Sequence, residues 1–271
     1  MKLFGTLLCR NEKDIIEYNI KHHLQFLDGL IITDNNSNDG TEKILLDYMF
    51  NDDRVKPILH EYKEGYYQNE YVHRMIRLAK LHDATHVINI DADEFWQIDR
   101  KKLKELVKVY NIIKCESFNF LPERFKHFTK FKYRTTNKPF SSDKLSQKYN
   151  LFTEVNANSV NKYKCIHLIE GYKQIWMGNH DVDMEDKRTY VSDMPIFHYP
   201  VRNYKQFKAK ITQGSNAYKN SDLPEGFGSH WRSLGKLLEQ DERLFKQEYN
   251  LITGSKLNKR QLLKDGIICL K

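Results

Sequence analysis

The feature that most constrains this chain is a regular alternation of two hydrophobic periods over roughly its first hundred residues. Continuous apolar runs of strand length, Leu3 to Cys9, Leu30 to Thr33, Val55 to Leu59 and His86 to Ile90, alternate with apolar residues at helical spacing. The helical sets are Ile16, Ile20, Leu24 and Leu27, then Ile44, Leu45 and Tyr48, then Val72, Met75, Ile76 and Ala79. A helix between two strands carries the chain back to the end of the sheet where it began, so successive strands pair in parallel through right-handed crossovers. The pattern predicts an α/β fold, a mostly parallel sheet flanked by helices. Gly29 is expected to break the first helix, and Asn35-Asn36-Ser37-Asn38-Asp39-Gly40 is a dense turn signal.

Three of these strands run into polar clusters: Arg10-Asn11-Glu12, Asp34-Asn35-Asn36 and Asp91-Ala92-Asp93-Glu94. Ligands of open α/β sheets bind beyond the carboxyl ends of the strands, so the clusters share one candidate site. Two carboxylates one residue apart at a strand end suit a hard divalent cation, Mn²⁺ or Mg²⁺, which takes oxygen ligands and keeps positions for phosphate. A solvated acidic turn is the plain alternative. The apolar brackets Val87-Ile88-Asn89-Ile90 and Phe95-Trp96 argue against it. For Asp39 the plain reading, turn formation and helix capping, is preferred.

The segments Leu8-Cys9-Arg10-Asn11-Glu12, Thr33-Asp34-Asn35-Asn36-Ser37-Asn38-Asp39-Gly40-Thr41 and Ile90-Asp91-Ala92-Asp93-Glu94-Phe95 resemble, in order, three motifs of the family-2-like glycosyltransferases. The similar bacterial subgroup reads R-N-E, then D-N-x-S-x-D-G-T, then D-x-D-E-F. A later stretch, Ile196-Phe197-His198-Tyr199-Pro200-Val201-Arg202 with Phe207 and Lys210, also resembles that subgroup, whereas the match between Arg100 and Ser192 is loose. The resemblance implies a GT-A fold with a Rossmann-type sheet, spanning residues 1–200, and a helical C-terminal extension over 201–271. It implies a glycosyltransferase that moves a sugar from a nucleotide-diphosphate sugar to a glycan or glycolipid acceptor, with metal and with inversion; a bacterial surface polysaccharide or lipooligosaccharide is the acceptor it suggests. Arg10, Asn11, Asp34, Gln68 and Asp91 are implied at the nucleotide, and Asp91 and Asp93 at the metal. Such folds often add a late histidine to the metal. His180, in the small and polar run Gly178-Asn179-His180-Asp181, is preferred over His198, which sits between Phe197 and Tyr199 like a packed strand end. Glu94 is expected to support the ligands. An inverting enzyme needs a carboxylate base; among Asp181, Asp183, Glu170 and Glu123, Asp181 is favoured because its loop follows the core.

Beyond Trp96, helices are expected at Leu103 to Val107, Tyr204 to Tyr218 and Trp231 to Tyr249, and strands at Ile112 to Leu121 and Gln174 to Met177. The chain of 271 residues carries a net charge of +8, concentrated between Arg100 and Asn150, where 14 Lys/Arg face 4 Asp/Glu. This points to an anionic acceptor or a peripheral contact with an anionic membrane, as against an ordinary solvated face. No nucleic-acid motif is present, so nucleic acid is not an expected partner. Cys9, Cys115, Cys165 and Cys269 lie too far apart in sequence for a zinc-type pair or a disulfide framework. That favours a reducing cytosol, with the inner face of the cytoplasmic membrane as the place for any membrane contact. No apolar run is long enough to span a bilayer. Two other classes of function compete. A nucleotidyltransferase of similar architecture would want a glycine-rich phosphate loop where Arg10-Asn11-Glu12-Lys13 stands. A non-enzymatic module binding an anionic surface would show salt-dependent binding alone.

Overall fold

The computed structural model describes residues 1–60, 65, 67–123, 125–136, 163–253 and 256–271. They divide into two compact units, one of Met1–Lys63, Tyr67–Ser117 and Tyr163–Phe197, the other of Glu64–Tyr66, Phe118–Lys162 and His198–Lys271. The second unit thus takes in more than the helical stretch expected over 201–271.

The first unit runs β1 (Leu3–Cys9), α1 (Ile16–His23), β2 (Gly29–Asp34), α2 (Thr41–Asn51), β3 (Leu59–His60), α3 (Gln68–Leu81), β4 (His86–Asp91), β5 (Glu94–Trp96), α4 (Arg100–Leu106) and β6 (Ile112–Asn119). After β7 (Tyr133–Thr135), which belongs to the second unit, come β8 (Tyr163–Leu168), β9 (Tyr172–Ile175), β10 (Val182–Met184) and β11 (Thr189–His198). Eight of these strands form one sheet in the order β3-β2-β1-β4-β8-β6-β11-β5. β1 pairs in parallel with β2 and β4, and β2 with β3. Beyond β4 the sheet turns antiparallel through β8 and β6.

The first strands read as unbroken apolar runs because both their faces are covered. Successive strand residues point to opposite sides. Leu3, Leu7, Leu30, Ile32, Ile88 and Ile90 pack with Ile16 and Ile20 of α1 and Leu45 of α2. Phe4, Ile31 and Val87 pack with Val72, Met75, Ile76 and Ala79 of α3. Cutting any of these large side chains to Ala leaves a cavity worth about 2–5 kcal/mol.

Three expectations change. Gly29 opens β2 rather than ending α1; a Cβ there would lie 2.3 Å from the Phe4 ring, so close packing demands glycine. The strand expected at Val55 to Leu59 shrinks to an isolated bridge at Val55 and the two-residue β3. Pro57, having no N–H to donate, interrupts the ladder between them. The strand expected at Gln174 to Met177 lies earlier, as β9, and forms a hairpin with β10 whose turn, Met177–Asn179, is 3₁₀.

In the second unit, α5 (Tyr204–Lys219), α6 (Ser229–Gln240), α7 (Glu242–Thr253) and α8 (Lys256–Lys264) are followed by β12 (Ile268–Leu270), which pairs antiparallel with β7. Leu121, Val201, Phe207, Ile211, Leu234, Phe245, Leu262 and Ile268 form their core. The single helix expected over Trp231 to Tyr249 is two. Asp241 adopts an extended backbone and its carboxylate caps the next turn, taking Arg243 N–H at 2.8 Å. Among the described residues no helix is long and apolar enough to cross a membrane, and all four cysteines are free thiols.

His23, His86 and His167 are buried polar groups of the first unit. Burial pushes His23 down to about 3 and His86 and His167 down to about 4. Folded, they stay neutral where the unfolded chain would take up a proton below about 6.5. Their contribution is complete above that value and is lost as pH falls toward the folded values, by at most about 1.4 kcal/mol per histidine per pH unit. Urea denaturation should therefore show a midpoint that drops between pH 7 and pH 5. A level midpoint across that range contradicts the assignment.

Candidate active site

Parallel pairing brings the polar strand ends to one edge of the sheet. Cys9 lies opposite Asp34 and Leu8 opposite Asp91, so Arg10, Asn11, Asp34 and Asp91 are neighbours in register. The turn after β2 is tied to the turn after β1. Asn11, in the left-handed region at φ 56°, takes Asn38 N–H on its Oδ1 at 2.8 Å and donates its own N–H to Ser37 Oγ at 2.9 Å. The Ser37 hydroxyl in turn donates to Asp34 Oδ1 at 2.5 Å. Burial raises the Asp34 carboxyl, with the Ser37 hydrogen bonds and His60, 4.0 Å away, pulling against it. Asp39 behaves as a turn residue: its carboxylate takes Thr41 N–H and hydroxyl and Lys13 N–H.

At the end of β4, Asn19 of α1 donates one amide to the carbonyls of Ala92 at 2.9 Å and Glu94 at 2.8 Å, fixing the turn that carries Asp93. Asp93 and Glu94 are buried, while the Asp91 side chain is 31% exposed. A residue the sequence reading passed over organises this turn. Lys164 of β8 is buried, and its ammonium bonds Asp91 Oδ2 and Glu94 Oε1, the latter at 2.9 Å. Burial alone would lower the Lys164 ammonium; Asp91 and Glu94 outweigh it and hold its pKa above the ordinary value. Glu94 therefore supports the motif, as a partner of Lys164.

The other Asp91 oxygen, Oδ1, meets neutral amides: Asn179 Nδ2 at 3.1 Å and Gln68 Nε2 at 3.5 Å. Gln68, the first residue of α3, also takes Gly178 N–H on its Oε1 at 3.1 Å. The 3₁₀ turn is thus fastened to α3 and to Asp91. His180 directs Nδ1 to the Tyr163 carbonyl at 3.1 Å, while its neighbour Asn179 meets the aspartate. Two successive residues with positive φ, Gly178 at 73° and Asn179 at 60°, rotate the turn so that Asn179 points inward. Among the described residues, no three His, Cys, Asp or Glu side chains gather as a preformed metal set, so Asp91, Asp93 and His180 do not converge as one.

Asp181 is bound on both oxygens. Oδ1 takes Val182 N–H at 2.8 Å, and Oδ2 takes Lys114 at 2.9 Å and Lys187 at 3.2 Å. Burial pushes its carboxyl up, but these hydrogen bonds prevail and leave it below the usual range, which makes for a weak proton acceptor. Asp183 is held by Gln174 at 2.5 Å and by the Trp176 indole N–H at 3.1 Å. His198 closes β11, bonded to Asn119 at 2.7 Å. Of the basic stretch, Arg100, Lys102, Lys108, Lys114 and Lys126 are each paired with a carboxylate; Arg124 and residues 137–150 lie outside the described residues.

The model of glycosyl transferase family 2 matches residues 7–168, more than half of the chain. The chain belongs to glycosyl transferase family 2. It is a glycosyltransferase, with the α/β, mostly parallel sheet of the GT-A fold expected above. Similar solved structures include residues 1–349 of S. aureus TarS, at 14% identity and TM-score 0.43, covering 83% of this chain and 68% of that one. The mannosyltransferase PcManGT of Pyrobaculum calidifontis, solved with GDP-Man and Mn²⁺, matches at 13% identity and TM-score 0.44, covering 97% and 79%. No curated protein matches the chain in sequence.

The Lys164 triad yields a prediction. Removing one partner of a buried ion pair strands the other charge, at a cost of about 3–5 kcal/mol. K164Q should lose stability on that scale in urea denaturation, and E94Q added to it should restore part of the loss. Additive effects in this double-mutant cycle contradict the coupling.

Proposed function

We propose that this glycosyltransferase uses a nucleotide-diphosphate sugar as donor, binding it at the sheet edge formed by Arg10, Asn11, Asp34, Gln68 and Asp91, and passes the sugar to a glycan or glycolipid acceptor with inversion. The observation that carries the reading is the register of β1, β2 and β4, which sets Asp34 and Asp91 on one edge with Gln68 and Asn179 against Asp91. Asp34 would accept hydrogen bonds from the base or ribose, since a carboxylate with one oxygen engaged by Ser37 retains acceptor capacity.

The donor set fits a divalent cation, Mn²⁺ or Mg²⁺. Asp91, Asp93 and Glu94 bring three carboxylates to one turn, and Lys164 pairs with two of them, Asp91 and Glu94. Asp91 Oδ1 meets only weakly held neutral amides among the described residues, and oxygen ligands suit hard cations. Asp91 and Asp93 are the residues that would hold it, with His180 the expected outer ligand. When bound, the cation supplies counter-charge to the departing diphosphate. The chain's own part is positioning: Lys164 and Asn19 fix the Asp91–Glu94 turn, and Gln68 pins the 3₁₀ turn beside it. For the base, Asp181 is the proposed carboxylate. It would act only after Lys114 and Lys187 let go of it, a cost that must be met by acceptor binding.

The acceptor is a bacterial surface polysaccharide or a lipooligosaccharide in this reading, with a place on the cytoplasmic side and a peripheral contact with the inner membrane face. The carboxylate pairing of Arg100, Lys102, Lys108, Lys114 and Lys126 removes much of that stretch's free charge, so the contact would draw on its remaining lysines and arginines.

A panel of nucleotide sugars with Mn²⁺ and Mg²⁺, read by release of nucleotide, tests the reading. Asp93→Ala is expected to abolish turnover while leaving the thermal unfolding curve in place; near-normal metal-dependent turnover by this variant overturns its role. Asp34→Ala is expected to weaken nucleotide affinity more than it slows the chemical step. Unchanged affinity in a calorimetric titration would leave Asp34 a turn residue.

A further inference from the structure

The turn between β9 and β10 carries a buried acceptor with nothing to accept. Asn179 is 3% exposed, and its Oδ1 finds no hydrogen-bond donor among the described residues. Its Nδ2, by contrast, is spent on Asp91 Oδ1 at 3.1 Å. A buried amide oxygen left without a partner costs about 1–3 kcal/mol. The backbone beneath it is also expensive: φ is +60° at a residue that is not glycine, directly after Gly178 at +73°. Strain of this kind persists where surrounding structure enforces it. Here the enforcement is visible. Gly178 N–H is held by Gln68 Oε1 at 3.1 Å, Asn179 N–H by the Trp176 carbonyl at 3.0 Å, and the turn is closed by Trp176 N–H on the Asp181 carbonyl at 2.8 Å. Two costs are thus accepted at one residue, and that residue touches the first aspartate of the D-x-D.

We propose that the Asn179 side-chain oxygen is a ligand for a divalent cation, acting together with Asp91. An amide carbonyl is a neutral, hard oxygen donor of the kind Mn²⁺ and Mg²⁺ accept. Both Asn179 Oδ1 and Asp91 Oδ1 are oxygens not committed to a charged partner among the described residues, whereas Asp91 Oδ2 is committed to Lys164. Turning the amide about its terminal bond offers oxygen in place of nitrogen and moves Nδ2 into the buried position that Oδ1 leaves. That exchange replaces the N–H···O contact with Asp91 by a shared cation. Lys164 keeps the second Asp91 oxygen, so the aspartate bridges an ammonium on one side and the cation on the other. His180, one residue later, bonds the Tyr163 carbonyl through Nδ1. The proposal rests on the metal-assisted reading above and deepens it by naming a neutral ligand.

Two variants of the full chain separate ligand from scaffold. N179G removes the amide while placing at φ +60° the residue that best tolerates it, so the turn and the fold are kept. N179D puts a carboxylate oxygen in the same place. Mn²⁺ alone is titrated against each protein and free Mn²⁺ is read by electron paramagnetic resonance, which needs no turnover. N179G is expected to bind Mn²⁺ about tenfold more weakly or worse, with thermal stability equal to or above that of the parent, and N179D to bind at least as tightly as the parent. Equal affinity of N179G and the parent overturns the assignment, as does absence of Mn²⁺ binding by the parent. Release of nucleotide from the donor panel, measured in parallel with EDTA, stands apart: donor turnover that survives without metal ends the metal reading while sugar transfer itself remains.

Discussion

A buried ammonium between two carboxylates is the interaction on which the rest of this site depends. Lys164 cannot lie in the protein interior alone, because an isolated buried charge costs several kcal/mol. Glu94 and Asp91 make its burial tolerable, and in turn Lys164 allows acidic residues to follow one another in a buried turn. The consequence is geometric. β8 is joined to the end of β4 by charge as well as by its antiparallel ladder, and Asp91 is held by one oxygen so that the other faces Gln68 and Asn179. Without the lysine, the acidic residues of the motif would repel one another and the turn would open.

The chain's economy of polar groups follows the same logic elsewhere on this edge. Asp34 is buried but bonded by Ser37; Asn11 closes one turn on another; Asn19 spends its amide on the Ala92 and Glu94 carbonyls. These hydrogen bonds hold the turns of this sheet edge rigid, as the proposed nucleotide site requires. Asn19 Oδ1 and Asn35 Oδ1 are buried without a hydrogen-bond donor among the described residues, and so is Asn179 Oδ1, where positive φ coincides with it.

Much of this was legible in the sequence, for identifiable reasons. Strand ends are local: a hydrophobic run followed by Asp34 or Asp91 places the carboxylate at the sheet edge whatever the rest of the chain does, and parallel pairing then aligns the two. Gln68, the first residue of its helix, proved to lie against Asp91. Lys164 was not legible, because it lies 73 residues from Asp91 and reaches it through an antiparallel register that periodicity does not encode. Asn179 did not stand out, because hydrophobic period and residue spacing do not reveal the two left-handed residues that turn its side chain toward the aspartate. In the C-terminal part, the helical period of Trp231 to Tyr249 continues through Asp241, so the break there follows from a capping carboxylate and not from any loss of hydrophobic pattern.

In the proposed site the donor binds at the carboxyl ends of β1, β2 and β4. Hydrogen–deuterium exchange of the full chain, with and without the nucleotide sugar that it turns over, tests this most directly. The account predicts slowed exchange at the turns after Cys9, Asp34 and Asp91, at the start of α3 and at the turn around Asn179, with the α3 face of the sheet unchanged. Protection confined to the C-terminal helices, or absent from all three strand ends, would contradict it.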